Sequence, residues 1–406
     1  MKILVVTNSC SERMYQEICE MRKKPLVDPQ QKFFRLLIEG LAKNDNCDIE
    51  VLSALPVSAS TVNRYVFPYR TETTKEKIKY HHIAFLNGRL MRYLTVFVSA
   101  YKFMRKWVKD KQAKNTWIIV DPLCPIVAIP SRIVAQKKGI RVLAVITDMP
   151  TLATNMKENR ESIIKAKFME FYQKISNKDL TSYDAYIPLT ESINEEININ
   201  QKPFCVVEGF ADVTDSEIID VHSNFIMYAG GIYEKYGVKT LVEAFLELEI
   251  EDVELHIFGN GSYVDELLKV CISHPRIKYK GCVLPQDVVA IEKKALLLVN
   301  PRPCNEEFAK YSFPSKTMEY LLSGTAVVST RLPGIPEEYF EHMYVFRDDT
   351  KNGIKDTLSD ILNQPRARII DMGRRGHEFV LKEKNNVVMA QKILSLLEKI
   401  NKKEDN

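Results

Sequence analysis

Ten short, mostly apolar runs punctuate this chain. They fall into two series of five, and stretches of helical periodicity separate most of them. The first series covers residues 3–6, 49–52, 117–120, 141–146 and 185–188. The second covers 225–228, 253–258, 277–279, 296–299 and 326–329. Near-continuous apolar strands alternating with helices are the pattern of a parallel sheet covered on both faces. Helical spacing is read over 33–41, 90–109, 126–138 and 163–175 in the first half, and over 238–248, 264–271, 286–293 and 317–322 in the second. From Arg366 the pattern is helical to a polar tail at 402–406, with Val387, Ile393, Leu396, Leu397 and Ile400 on one face. The turn-rich stretch 209–215 separates the halves. The reading is α/β, with two Rossmann-like domains facing across a cleft. The boundaries are 1–215, 216–385 and a C-terminal helix with its tail, 386–406.

Composition narrows the class. With 406 residues, 45% hydrophobic and 27% charged, the chain has material for two or three packed domains and is not a disordered polymer. No uncharged apolar stretch reaches 18 residues, so no transmembrane helix is expected. The opening run is too short for a secretory segment. None of the eight cysteines forms a C-x-x-C pair, so the expectation is reduced cytoplasmic thiols and no zinc site. The net charge of +4 gives no reason to expect nucleic acid. Residues 1–220 hold 32 basic and 26 acidic side chains, whereas 221–406 hold 25 and 27. That asymmetry suggests two domains with different partners.

Ligands of open α/β sheets bind at the carboxyl ends of the strands, so the turns after strands are where chemistry is sought. Three turns of the second half stand out. One runs through Gly230-Gly231 to Lys235-Tyr236-Gly237, where glycines admit close backbone approach and a cation stands near a helix start. A second is Gly259-Asn260-Gly261. A third passes Arg302 and reaches Ser312-Phe313-Pro314-Ser315-Lys316, with Glu319 one turn into the following helix. Each alone also fits a plain βα turn, and Lys316 with Glu319 also fits an exposed i,i+3 pair. Three anion-friendly turns in one domain argue for a nucleotide diphosphate.

Taken together, these runs resemble the donor domain of GT-B glycosyltransferases of family 4, from Gly231 and Lys235-Tyr236-Gly237 through Phe258-Gly259-Asn260-Gly261, Asn300-Pro301 and 312–319 to Gly334-Ile335-Pro336-Glu337. The resemblance covers roughly 224–345 and extends to the first half only in layout. It implies a C-terminal helix packing back on the N-terminal domain. It also implies transfer of a sugar from a nucleotide sugar, a UDP-sugar first, usually with retention. Glu319 matches the glutamate that bonds the nucleotide ribose. The motif's other glutamate falls on Tyr311, with Glu306 and Glu307 just upstream, and Ile232 stands where an arginine is usual. Lys316, with Lys235 and Arg302, is then expected to supply positive charge to the diphosphate. Gly230, Gly231, Gly259, Gly261, Ser312, Phe313 and Ser315 are expected around it. No Asp-x-Asp occurs, in keeping with a metal-free reaction and no cofactor beyond the donor.

The first half is expected to bind the acceptor. Asn8-Ser9-Cys10 follows the first strand, and a long loop is read through Arg22-Lys23-Lys24 to Asp28. Asp121 and Asp148 end two strands; Asp148 is the acceptor-side catalytic candidate, and an Asp there equally caps a turn. Residues 86–109 carry Arg89, Arg92, Lys102, Arg105, Lys106 and Lys109 and no acid, with Leu90, Leu94, Phe97, Val98, Tyr101, Met104 and Val108 at helical spacing. That pattern fits an anionic membrane surface, and it also fits a core helix with a solvated basic face. The leading function is a glycosyltransferase acting on a lipid-linked or oligosaccharide acceptor at the inner membrane face, in capsule or exopolysaccharide synthesis. A nucleotide-sugar epimerase or hydrolase on the same fold, and a degenerate transferase that binds without turnover, stand as alternatives.

Overall fold

The computed structural model describes residues 1–22, 29–44, 46–88, 90–149, 174–175, 177–215, 217–219 and 223–403. The helix expected at 163–175 lies almost wholly outside them. So do Lys23, Lys24, Asp28, Arg89, Pro150 and the last three residues of the tail. The chain divides into two compact units: Met1–Phe210 with Asn386–Asn406, and Ala211–Asn385.

The first unit holds β1 (Lys2–Thr7), β2 (Asp48–Ser53), β3 (Val66–Phe67), β4 (Arg70–Thr73), β5 (Lys79–His82), β6 (Phe85–Leu86), β7 (Thr116–Val120), β8 (Arg141–Ile146) and β9 (Ala185–Pro188). Its main sheet runs β4-β5-β2-β1-β7-β8-β9, parallel except for the edge pair β4–β5. Leaving out β4, the strands follow the 3-2-1-4-5-6 order of a doubly wound fold. The pair β3–β6 and the strands β4 and β5 carry too few apolar residues to stand out in the sequence. Where a long loop is read after Cys10, the chain instead forms the helix Glu12–Met21. Ser11 caps it by accepting from the Met14 amide at 3.2 Å, and Met14 and Ile18 are its buried side. With only two buried side chains, its apolar stripe is too thin for periodicity to reveal.

Two helices run from Arg366, Arg366–Glu383 and Asn386–Lys403, with the non-helical Lys384 and Asn385 between them. The second belongs to the first unit. Its Met389, Ile393 and Leu397 pack with Phe34 and Leu37 of the helix Pro29–Ala42 in the core under β1.

The helix Met91–Trp107 splits the apolar stripe read from the sequence. Val96, Ala100, Met104 and Trp107 face the interior, while Leu90, Leu94, Phe97 and Val98 remain exposed. Arg92 does not belong to a free basic face. Its guanidinium donates to the Leu55 carbonyl at 3.1 Å and lies 5.6 Å from the centre of the Phe85 ring. Among the described residues, no helix is long and apolar enough to cross a membrane.

The second unit is a single parallel sheet of β10 (Phe225–Gly231), β11 (Glu254–Asn260), β12 (Ile277–Gly281), β13 (Leu297–Asn300), β14 (Ala326–Ser329) and β15 (Tyr344–Val345), in the order β12-β11-β10-β13-β14-β15. This is again the 3-2-1-4-5-6 order. The strand order reverses between β10 and β13, and the crevice at their carboxyl ends is where such sheets bind ligands.

Candidate functional site

A pocket of about 80 Å³ opens at that reversal point, lined by Ala229, Gly230 and Gly231 from the end of β10, by Asn300 at the end of β13 and Arg302 after it, and by Ser315 and Lys316 from the next helix. It is small beside the several hundred Å³ usual for a whole ligand, and matches a phosphate-sized part of one. The helix Ser315–Leu322 points its first turn at the pocket. Pro314 occupies its cap position and no side chain caps it; the Thr317 amide turns back to the Pro314 carbonyl at 2.8 Å, and the dipole with the amides of Ser315 and Lys316 favours an anion there.

Two glycines shape the wall from behind. Gly259 has φ +126°, and a Cβ there would stand 1.8 Å from the Gly230 carbonyl oxygen. A Cβ on Gly261 would stand 2.1 Å from that of Ile232. Gly259 pairs with Gly230 across β10 and β11, so both glycines let the neighbouring turn pack beneath the strand end. They do not line the pocket themselves.

Lys316 carries the charge of the site. Its Nζ lies 2.5 Å from Glu319 Oε1 and 3.0 Å from Glu292 Oε1. Glu292, at the end of the helix Pro285–Glu292, is fully buried, and its Oε2 has no hydrogen-bond partner. Burial, with the negative charge of Glu319 adding to it, pushes the Glu292 carboxyl up to about 7 against the pull of Lys316. Burial by itself would lower the Lys316 ammonium; the two carboxylates outweigh it and raise it above the usual lysine range. Glu292 escapes sequence reasoning because Ile-Glu-Lys-Lys reads as the solvated end of an amphipathic helix. Only the fold brings it under Lys316.

Arg302 is the second cation in the pocket. Its guanidinium sits 4.8 Å from the Tyr236 ring centre and 5.5 Å from that of Phe308. Burial lowers its proton affinity. Ile232, where the family resemblance sets an arginine, is wholly buried in the core with Val238 and Leu241, so no charge from that position reaches the pocket. Lys235 is exposed beside Tyr233 and Tyr236, at 6.0 and 5.5 Å from their ring centres, and is not part of the lining. Phe313 is a core residue, its ring 5.3 Å from Tyr339, and Ser312 is half-buried just before it. Tyr311 ends the 3-10 turn Glu307–Tyr311, with Lys310 over its ring at 4.7 Å. Glu307 is exposed at the start of that turn, and Glu306 precedes it, half-buried.

In the first unit, Asp121 is fully buried past the end of β7. It accepts from the Gln30 side chain at 2.6 Å and from the Leu123 amide at 3.0 Å. Gln31 brackets Cys10, accepting from its amide at 3.0 Å and donating to its carbonyl at 2.7 Å. Gln31 thus fixes the turn after β1 and Gln30 ties the same helix to the end of β7, and no sequence signal marks either. Asp148 is exposed beyond β8, and its carboxylate accepts from the amide of the next residue, Met149, at 2.8 Å. Among the described residues, no group of three or more His, Cys, Asp or Glu side chains is arranged to hold a metal ion.

Residues 223–364 match the family described as glycosyl transferases group 1. The matched stretch contains every residue of the pocket lining. The whole chain resembles solved glycosyltransferases of the GT-B fold. Sucrose-phosphate synthase from Thermosynechococcus elongatus matches at TM-score 0.65 and 14% identity, over 98% of this chain and 99% of that one. The Anabaena protein HepE, solved with UDP-glucose, matches at 0.60 and 11%, over 98% and 100%. The lipopolysaccharide outer core galactosyltransferase WaaB matches at 0.60 and 13%, over 98% and 99%. At these identities the likeness shows the fold: two Rossmann-like domains, with the group 1 match on the second. No curated protein matches the sequence.

Proposed function

We propose that this protein is a glycosyltransferase that takes its sugar from a nucleoside-diphosphate sugar, a UDP-sugar first, and that the pocket between β10 and β13 receives the donor's diphosphate. The observation that carries this reading is the meeting of an uncapped helix start with Lys316 and Arg302 at the strand reversal. Fixed positive charge at that place meets the charge that grows on the leaving diphosphate, so transfer needs no divalent ion. Glu319 accepts from the ribose hydroxyls, and transfer proceeds with retention. The solved structure of HepE with UDP-glucose supports the donor class.

The acceptor belongs to the first unit, with Asp148 and Asp121 at its strand ends, and is a lipid-linked or oligosaccharide glycan of a surface polysaccharide. Support for a lipid-linked acceptor comes from the exposed side of the helix Met91–Trp107. Leu90 and Leu94 are 60% and 59% exposed, and Tyr65 and Val66 of the same unit are 53% and 54% exposed. Lys102, Arg105, Lys106 and Lys109 are exposed further along the same element and just after it. Leu94, Val98 and Lys102 follow each other at four-residue spacing, so apolar and basic residues share one row. An enzyme seated on the cytoplasmic face of a membrane uses such a row to meet its acceptor.

A second reading, a partner that binds the nucleotide without turnover, draws on Ile232, which leaves the family's arginine position in the core. One experiment separates the two. The protein is incubated with a panel of nucleotide sugars, with and without membrane extract, and released nucleotide is scored. Release that depends on extract supports transfer to a membrane-borne acceptor. UDP binding with no release from any donor supports the partner reading. No binding of any nucleoside diphosphate removes the donor site.

A further inference from the structure

We infer that Glu292 is a positioning residue for this reaction: a wholly buried carboxylate that holds the Lys316 ammonium at the mouth of the diphosphate pocket from behind. The inference rests on the donor-site reading above and adds to it a residue outside the pocket lining.

Three observations combine. The Glu292 side chain has no exposed surface, and a buried carboxylate is retained only beside a compensating charge. That charge is Lys316, 3.0 Å away on a different helix, so the contact spans two elements and fixes the lysine's rotamer. Lys316 is itself one-third exposed and faces the pocket, which makes it the member of the pair that a ligand meets. Glu319 is the other partner of Lys316. A ribose that occupies Glu319 draws it away and leaves Glu292 as the anchor that keeps the ammonium in place.

The Lys316 ammonium thus has a back and a front. Its back is fastened to a group that cannot move into solvent, and its front is directed at the place where phosphate oxygens gather charge. A long lysine side chain without that fastening samples several rotamers, and an ångström of misplacement in a catalytic cation costs roughly a hundredfold in rate. The same fastening keeps Lys316 protonated.

The first test reads Lys316 directly and needs no substrate. Competitive acetylation, followed by mass spectrometry of the Lys316 peptide against the other lysines, is compared in wild type and Glu292→Gln. At about pH 9, above the raised Glu292 value and where that carboxyl is ionised, loss of the buried charge is expected to raise the Lys316 labelling rate at least fivefold, with other lysines unchanged and the fold retained by melting. The second test uses UDP and whichever UDP-sugar the wild type turns over. Glu292→Gln is expected to lower turnover roughly tenfold while UDP affinity moves less than about threefold. In a Lys316→Met background Glu292→Gln should add nothing, because a residue that acts through another is silent once the other is gone.

Glu292→Asp is the second variant. It keeps the charge but withdraws it by one methylene, and should show the same faster labelling. Unchanged Lys316 labelling in folded Glu292→Gln, or an effect on turnover that persists in the Lys316→Met background, overturns the inference. Expected labelling in a protein that binds no UDP removes the donor-site reading alone and leaves the Glu292–Lys316 fastening standing.

Discussion

The Tyr320 hydroxyl is joined to the backbone of Ala229 in both directions: the Ala229 amide donates to it at 2.9 Å, and it donates to the Ala229 carbonyl at 3.3 Å. The ladder registers from β10 to β13 pair Ile226 and Met227 and go no further. Tyr320 therefore does for Ala229 what the next strand does for the residues before it. The bond also ties the anion-facing helix Ser315–Leu322 to the strand that ends in Gly230-Gly231.

Tyr320→Phe should therefore affect both stability and binding. A buried backbone amide and carbonyl lose their partner, at about 1–3 kcal/mol. Thermal melting should fall by several degrees, and UDP affinity should fall with it, because the two walls of the pocket are no longer held together. A variant with wild-type melting would show that the hydroxyl is dispensable to the wall.

Most parallel strands of both sheets, though not β5 or β15, were legible because a strand buried on both faces is a run of apolar residues and needs no partner to be seen. Arg141–Ile146, Ala185–Pro188 and Ala326–Ser329 coincide with their apolar runs. Glu12–Met21 and the short strands around 66–86 were not, since each buries too little for periodicity to register. At the site, the contact of Lys316 with Glu319 was legible as an i,i+3 pair on one helix. Glu292 was not, because its partner lies 24 residues away and only the sheet order brings them together. Gly259 and Gly261 were legible as glycines needed near the pocket, but what they clear is the backbone of Gly230 and Ile232, not a ligand.

Glu319→Ala should weaken UDP. A charged acceptor for a buried hydroxyl pair contributes about 1.5–3 kcal/mol, or roughly tenfold to a hundredfold in affinity. Lys316 keeps Glu292 as a partner in this variant, so melting should move little. Calorimetry giving wild-type affinity in the folded variant would take Glu319 out of the nucleotide site.

Turnover should persist in excess chelator. The cations offered to the diphosphate, Lys316 and Arg302, are covalent parts of the chain, and the sequence has no Asp-x-Asp. Loss of activity in chelator that manganese or magnesium restores would show that these two side chains do not suffice. Lys316→Ala should then lower turnover more than UDP binding, because leaving-group charge peaks in the transition state.

The first unit should carry an acid-sensitive contact between β2 and β5. Glu50 accepts from His81 at 2.8 Å and lies 3.5 Å from Lys2. Burial works to raise its carboxyl, but these partners outweigh it and hold the group down at about 2. A depressed carboxylate stabilises the fold fully above its unfolded value near 4.5 and loses that contribution as pH falls toward 2. The full contribution is about 3 kcal/mol. Melting of wild type should thus fall steeply between pH 5 and pH 2, and Glu50→Gln, less stable at pH 7, should show a shallower fall over the same range. Parallel curves for the two proteins would show that Glu50 does not govern acid sensitivity.

Binding to anionic vesicles should depend on the exposed row of the helix Met91–Trp107 and not on its half-buried Arg92. Lys102, Arg105 and Lys106 are exposed, and each contributes about 1 kcal/mol near an anionic surface. Changing all three to Gln should lower vesicle partitioning by about two orders of magnitude at low salt, with melting unchanged. Leu94→Ser with Phe97→Ser should lower it at every salt concentration, because what is lost is apolar insertion. Arg92→Gln is the contrast. Its guanidinium is bonded to the Leu55 carbonyl and lies over Phe85, so melting should fall while partitioning holds. Vesicle sedimentation at low and physiological salt reads all three variants. Wild-type protein that stays in the supernatant with anionic lipid at low salt would remove the membrane from the reading, and the acceptor would then be a soluble glycan or one delivered by a partner. The donor site would be untouched, since its residues lie wholly within the second unit.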